Sequence, residues 1–416
     1  MTPVPGLMLM PDVPWPPHGG REVVSHHTLK ALLDAGQPMQ AMLTGPAADT
    51  NASAWPLVDR LRVHRIDEQP VDHATPPRRW LDRRWRHYWG WSDRALAALG
   101  RHVNQSTPRF IAAAGLHMLP ALAAVGPEIP RIWLALDEPA RFQRSLARSA
   151  DRLHDKLKRW RLAAVFAAYQ RTCRHAVDLA VAVSADDARA LRRVGGFANV
   201  LNLPNGVDTD YYGPMPGPGE PHTAIFWGRL DFQPNVEALR WFVRRAWPTV
   251  VARTPTARLR VIGRHADPAL RDQVGAGAGV EWIGPVDDLR PWVARSAAVV
   301  LPIRSGAGIK NKLLEAAAMA RPIVAAPRAV DGLAAAGAWR VADEPEAWCA
   351  ALEAVWRDAA AARAMGERAR RWVAAHHCWA RNAARLLECI ASCERGGADP
   401  APGAGVDAAE ATRWAA

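Results

Sequence analysis

"AVVLPIRSGAGIKNKLLEAAAMARPIVAA" (Ala298–Ala326) holds one complete unit of a fold. A short apolar run rich in β-branched residues is followed by a loop of small residues. An alanine- and leucine-rich helical stretch comes next, and then a second apolar run. Strand, helix and strand in that order form the repeating unit of parallel sheets covered by helices. The helical stretch opens with two cations, Lys310 and Lys312, before its first acid, Glu315. A helix N-terminus already carries partial positive charge, so lysines there cost roughly a few tenths of a kcal/mol each. No Asp or Glu stands between Ser305 and Glu315 to offset them. A bound phosphate would.

The same alternation runs through most of the chain. In the first half the strand candidates are "GLMLM", "PMQAML", "LRVHRI", "RFIAAAG", "RIWLAL", "LAVAVS" and "NVLNLP". Helical patterns fall at 20–35, 91–103, 117–125, 144–175 and 185–194. In the second half "TAIFWG", "RLRVIG", "VEWIG", "AVVLPI" and "PIVAA" are separated by helical stretches. The expected architecture is α/β with two parallel-sheet domains. Between them lies "PNGVDTDYYGPMPGPGEPH" (204–222), whose Pro and Gly break regular structure. The boundaries follow: a first domain over 1–208, a connector over 209–221, and a second domain over 222–394. The last helices of the second domain can pack back on the first. Residues 395–416 hold too few large apolar side chains to pack and read as a disordered tail.

Bulk properties narrow the function. The chain has 416 residues, 49% of them hydrophobic and 23% charged, enough for more than one core. A net charge of +12, mostly from arginine, favours anionic partners. Five cysteines (173, 349, 378, 389 and 393) form no C-x-x-C pair, so neither a zinc site nor an oxidising compartment is indicated. The first residues lack a signal-peptide pattern, and no stretch nears 18 consecutive apolar residues. The expected location is the cytoplasm.

Ligands of open parallel sheets bind beyond the C-terminal strand ends, where helix N-termini point their N–H groups. Four glycine-containing loops stand at such ends in the second domain: 226–235, 261–265, 282–286 and 302–315. Arg229 follows the first strand and can fork onto a phosphate. Lys312 and Glu315 are three residues apart and share a helix face. A carboxylate accepts two hydrogen bonds, and a ribose diol offers two donors. Phosphate at the helix start and ribose on Glu315 is the reading. The alternative is a surface ion pair between Lys312 and Glu315, worth little.

The run "FWGRLDFQPNVEALRWFVRRAWP…ARLRVIG…VEWIGPVDDLRPWVARSAAVVLPIRSGAGIKNKLLEAAAMARPIVAAPRAVDGL" closely resembles the donor-binding domain of family 4 glycosyltransferases. "PNGVDTDYY" and "PWPPHGGREVVSHHTLKALLDAG" are similar to the same family. The resemblance extends to about residue 385 and looks closest to the branch associated with exopolysaccharide and surface-glycan assembly. It implies a GT-B fold: two facing Rossmann-like domains, donor in the second and acceptor chiefly in the first. It implies retaining transfer from a nucleoside-diphosphate sugar to a glycan or lipid-linked acceptor, with no resident cofactor and no metal. By this likeness Arg229 with Lys312, or Lys310 in its place, holds the diphosphate, and Glu315 the ribose. Gly308 and Ile309 offer backbone to phosphate or sugar. Gly228 and Gly263, with the Ile283–Gly284–Pro285 loop, flank the nucleotide. In the first domain, Gly19 and Gly20 approach the sugar phosphate.

The chain departs from the family pattern in places. Many members carry an E-x7-E pair ending at the Glu315 position, and eight places earlier stands Ala307. A common lysine appears as Asn235, and a common histidine after "RIWLAL" is replaced by Asp137 and Glu138. Asp137 becomes the candidate carboxylate for a positively charged sugar centre. "DTD" (208–210) has the pattern of a divalent-metal D-x-D but lies in the connector. Two rival readings follow: a catalytically silent nucleotide- or glycan-binding relative, and a nucleotide-sugar epimerase.

The first domain is strongly basic. "RRWLDRRWRHYWGW" (78–91) mixes arginine with tryptophan, and Arg144, Arg148, Arg152 and Lys156 recur every fourth residue, as a stripe along one helix. Interspersed acids allow a solvated, salt-bridged surface. The other reading is an anionic membrane face on the inner side, with tryptophan at the interface. No nucleic-acid motif accompanies the charge, and no nucleic acid is expected as partner.

Overall fold

The structure, a computed structural model, describes residues 3–17, 19–45, 52–66, 91–150, 152–217, 219–306, 308–333, 335 and 337–395. Ala307, most of the 78–91 stretch and the expected tail beyond Arg395 lie outside the described residues. The chain divides into two compact units. One runs to Pro204 and takes in the segment from Trp379, and the other begins at Asn205 and ends at Cys378.

In the first unit the elements are β1 (Gly6–Met10), α1 (Gly20–Asp34), β2 (Met39–Leu43), β3 (Arg62–Arg65), α2 (Asp93–Ser106) and β4 (Ile111–Ala114). Then come α3 (Leu119–Ala123), β5 (Arg131–Leu136), α4 (Pro139–Ser149), α5 (Leu153–Cys173), β6 (Leu179–Ala182), α6 (Ala185–Ala190) and β7 (Val200–Asn202). The seven strands are parallel and lie in the order β3-β2-β1-β4-β5-β6-β7. One face buries Leu7, Leu9, Trp91, Leu99 and Trp133. The other buries Met8, Met10, Leu29, Phe110 and Ile132. Both faces are covered, so the inner strands β1, β4, β5 and β6 are buried along almost their whole length and show no alternation.

The second unit contains β8 (Glu220–Trp227), α7 (Gln233–Trp241), α8 (Trp247–Arg253), β9 (Arg258–Ile262), α9 (Pro268–Gly275), β10 (Val280–Gly284) and α10 (Arg290–Arg295). It continues with β11 (Ser296–Leu301), α11 (Asn311–Ala318), β12 (Ile323–Ala325), β13 (Arg340–Val341), α12 (Pro345–Arg357) and α13 (Ala359–His376). Its six strands are parallel, in the order β10-β9-β8-β11-β12-β13. The core joins Phe226, Val261, Val299, Leu313, Leu314 and Val324 to Trp247 and Trp348. The last helix, α14 (Trp379–Glu394), returns to the first unit. There it buries Ala383, Leu386, Cys389 and Ile390 in the same cluster as Leu29 of α1. His27 stacks on Trp379 with ring centroids 5.3 Å apart.

The structure corrects one reading of the basic stretch. The helical pattern expected over 144–175 is two helices, not one. α4 stops at Ser149, Ala150 is extended (φ −72°, ψ 137°), and Arg152 is an extended residue before α5. Arg144 and Arg148 therefore ride on α4 and Lys156 on α5, so the four cations do not form a stripe along one helix. The DTD segment is occupied locally: Asp208 Oδ1 accepts from the N–H groups of Asp210 and Tyr211, capping a turn.

In each sheet the chain order reverses once, at β1/β4 and at β8/β11. Loops on the two sides of such a reversal diverge and leave a crevice at the C-terminal strand ends.

Candidate functional site

In the second unit β8 and β11 flank the reversal, and the residues expected to bind donor follow both. β8 runs into Gly228 and Arg229, and β11 into the 302–310 loop and α11. Hydrogen bonds tie the strand-end loops into one ledge: Gly228 N donates to Ile262 O at 3.0 Å, Leu230 N to Arg264 O at 2.9 Å, and Gly263 N to Gly284 O at 3.1 Å. The ledge requires glycine at Gly263. A Cβ there would lie 2.2 Å from the Gly228 carbonyl oxygen and 2.6 Å from the Leu230 side chain. Gly228 itself has φ +150°, and a Cβ on it would meet the Lys312 ammonium at 2.7 Å.

Lys312 sits in the first turn of α11, whose N-cap is Lys310. Its ammonium donates to Asn235 Oδ1 at 2.6 Å and lies 4.8 Å above the Phe226 ring. Asn235 in turn donates from Nδ2 to the Arg229 carbonyl at 2.8 Å. Asn235 thus links the β8 loop to α11 at the place where the family pattern has a lysine. Burial pulls the Lys312 ammonium down to about 7, against the upward pull of the Glu315 carboxylate.

One turn further along α11, Glu315 Oε2 accepts from the Trp227 indole N–H at 3.0 Å. Burial raises the Glu315 carboxyl above the usual range, opposed by Trp227 and Lys312. The Tyr212 phenol is pushed up, first by the Glu315 charge and then by its own burial. Leu313, Leu314, Ala316, Ala317 and Ala318 around this pair are buried. Lys312 and Glu315 are therefore not an exposed surface ion pair.

The remaining cations have local partners. Arg229 forks onto Asp231 (Nε–Oδ1 3.1 Å, Nη2–Oδ2 2.7 Å), and both side chains are exposed. Lys310 donates to the Gly308 carbonyl at 2.9 Å. The 302–310 loop is pinned from two sides: Ser305 Oγ donates to Glu237 at 2.7 Å, and Arg328 Nε to the Gly306 carbonyl at 3.0 Å. Gly306 and Gly308 have φ +98° and +68°, a left-handed backbone that glycine adopts without strain. Ile309 packs against the unit's core, as does Ile283.

Beyond β9 and β10 opens a cavity of about 550 Å³. Gly263, Gly284 and Pro285 line it, together with Arg264, Trp282 and Asp287. Trp282 gives the lining an aromatic ring, and Arg264 and Asp287 give it charged groups.

Gly19, Gly20 and Asp137 belong to the first unit. Gly19 is the extended N-cap of α1, and a Cβ on the exposed Gly20 would meet no heavy atom within 4 Å. Asp137 follows β5 at partial exposure, next to Leu136, whose φ of +61° is strained for a leucine. Its neighbour Glu138 is fully buried and serves structure. Its carboxylate caps α4 through the N–H groups of Ala140 and Arg141 and accepts from Gln170 at 2.7 Å.

Sequence reading missed Trp227, Glu237 and Arg328, and it named Asn235 only as a departure from the family pattern, without its contact to Lys312. Each acts on a residue at least six positions away, reached only through the strand order. Among the described residues, no group of three or more His, Cys, Asp or Glu could hold a metal ion.

Comparison with known proteins speaks to the sequence pattern of the second unit and to the fold. Residues 221–358 match the family model described as "Glycosyl transferases group 1". A phosphatidyl-myo-inositol mannosyltransferase of Mycolicibacterium smegmatis is 32% identical over 152 residues, 35% of this chain and 38% of that protein. The chain thus spans well under half the length of the curated relative it matches. Sucrose-phosphate synthase from Thermosynechococcus elongatus is structurally similar at TM-score 0.70 and 15% identity, over 95% of this chain and 100% of that one. HepE of Anabaena, in complex with UDP and glucose, superposes at TM-score 0.64 and 14% identity, over 94% and 100%. Residues 221–358 carry the group 1 glycosyl transferase pattern, in a chain whose two α/β units have the GT-B fold.

Proposed function

We propose that the protein is a retaining glycosyltransferase. It moves a hexose from a nucleoside-diphosphate sugar to a glycan or lipid-linked acceptor in the assembly of a surface polysaccharide, without a metal, at the cytoplasmic face of a membrane. The observation that carries the reading is the seating of Lys312 and Glu315 on one half-buried helix face at the β8/β11 reversal, with Trp227 fixing the carboxylate. The group 1 match over 221–358 supports it, and so does the UDP and glucose named for HepE. The lipid named for the mycobacterial mannosyltransferase supports a lipid-linked acceptor.

The chemistry follows from charge. As the bond from the anomeric carbon to the diphosphate breaks, negative charge grows on the leaving oxygens. Arg229, Lys310 and Lys312 neutralise it. Arg229 first exchanges Asp231 for phosphate, keeping a forked contact. Lys312, whose ammonium burial pulls down to about 7, is drawn to its charged form by the diphosphate. Glu315 accepts from the ribose hydroxyls, and the base lies in the cavity against Trp282. Gly19, Gly20 and Asp137 of the first unit take their proposed roles from the family likeness alone, and no second carboxylate is assigned, so no covalent glycosyl intermediate is drawn.

The test is transfer. The protein is incubated with UDP-, GDP- and TDP-sugars and a bacterial lipid and glycan extract, and product is read by mass. Donor consumption that depends on the extract and is lost in Glu315→Ala supports the reading. A wild-type protein that consumes no donor in any combination sinks it.

A further inference from the structure

Large apolar side chains exposed to solvent are few among the described residues, and three of them stand together. Leu153, Leu157 and Trp160 are 71%, 61% and 46% exposed, and all three lie in the first eight residues of α5. The spacing i, i+4, i+7 puts them on one face of the helix. The core-facing residues of α5 (Ala163, Val165, Tyr169, Gln170 and Cys173) all come later, so the first turns stand clear of the hydrophobic core. A polar contact reaches them from α4: Arg159 Nη1 donates to Gln143 at 3.2 Å.

Cations flank the apolar face. Arg152, Lys156, Lys158 and Arg161 fall on its two sides, and Arg148 is exposed in the last turn of α4. Asp155 is the acid within the same two turns and lies on the opposite side of the helix. An exposed apolar stripe between basic flanks meets a surface that offers hydrocarbon at its centre and negative charge around it. An anionic lipid interface does both. A protein groove would need an acidic rim to match, and a second copy of this basic face would repel itself.

We infer that the first turns of α5 are a membrane-docking element, in which Leu153, Leu157 and Trp160 enter the interface of an anionic bilayer while Arg152, Lys156, Lys158 and Arg161 bind headgroup phosphates. This deepens the reading of a lipid-linked acceptor by naming the working surface, and it rests on that reading only for its purpose. Binding is measured without donor or acceptor, so its failure and the failure of the transferase reading are separate results.

The experiment is vesicle flotation of the full chain on phosphatidylglycerol/phosphatidylcholine and on pure phosphatidylcholine vesicles, at low and high salt. Wild type should float with the anionic vesicles and be released by salt, because headgroup attraction is screened. Leu153→Ser/Leu157→Ser/Trp160→Ser should lower the partition by more than about tenfold. Lys156→Gln/Lys158→Gln/Arg161→Gln should lower it on anionic vesicles alone. The replaced side chains lie outside the hydrophobic core, so thermal midpoints should match wild type, and a variant with a lowered midpoint is replaced by Leu157→Ser alone. Two results overturn the inference: a wild type that stays with the unbound fraction at low salt, and a triple-serine variant that floats as well as wild type. A dimer in the absence of lipid that the triple-serine change dissociates also overturns it, assigning the face to a second copy.

Discussion

The indole N–H of Trp227 and the carboxylate of Glu315 meet at 3.0 Å across 88 positions of sequence. One closes β8 and the other lies in α11, and they are neighbours because β8 and β11 pair in the sheet. A half-buried carboxylate accepting one hydrogen bond keeps acceptor capacity for a ligand. Trp227→Phe removes the donor and leaves Glu315 half-buried with less support. The expected cost is about 1–3 kcal/mol in chemical denaturation, with weaker nucleoside-diphosphate binding. Unchanged stability and affinity would deny Trp227 its positioning role.

Lys312 makes binding depend on pH. With its ammonium pulled down to about 7 by burial, the lysine is charged below that pH and progressively neutral above it. A diphosphate binds the charged form, so binding takes up a proton above pH 7. Affinity should fall up to about tenfold per pH unit as pH rises from 7. Titration calorimetry at pH 8 in two buffers of different ionisation enthalpy reads the proton directly. Equal heats in both buffers would contradict the assignment.

His377 provides a second, independent pH signature. Its Nδ1–H donates to the Asn205 carbonyl at 2.6 Å, and burial lowers its pKa to about 4. The unfolded imidazole takes a proton near 6.5 while the folded one does not. Between 6.5 and 4 the unfolded state therefore binds more protons, and stability falls as pH falls through that window. It is fully present above 6.5. The loss amounts to about 3 kcal/mol at pH 4. Urea midpoints measured from pH 7 to pH 4.5 should decline in wild type and decline less in His377→Asn. Parallel curves would remove His377 as the cause.

Gly263 supports the ledge by lacking a side chain. Gly263→Ala places a carbon 2.2 Å from the Gly228 carbonyl and forces the two strand ends apart. The expected result is a loss of about 1–3 kcal/mol and of nucleotide affinity together. Gly20→Ala, in open space, should leave stability within about 0.5 kcal/mol of wild type.

Much of this was legible in the sequence because buried parallel strands are short apolar runs that end in glycine loops, and "TAIFWG" and "AVVLPI" fit that form. The break between α4 and α5 was not, since "RSADRL" contains neither Gly nor Pro to mark it. β13 is two residues long, too short for any period to register. Lys312 and Glu315 stood out through helical spacing, whereas Trp227 and Asn235 reach them only through the strand order. The docking face on α5 was hidden for another reason. Leucine and tryptophan at helical spacing look the same whether a helix turns them inward or outward, and only the packing of α4 and α5 decides which.

The measurement that tests the central claim most directly is calorimetric titration of UDP, GDP and TDP into wild type and Glu315→Ala at pH 6.5, where Lys312 is largely charged. One nucleoside diphosphate should bind wild type and lose about tenfold or more in affinity in the variant, the cost of an unmade charged hydrogen bond. Absence of binding by all three at millimolar concentration would contradict the account, and so would equal affinity in the variant.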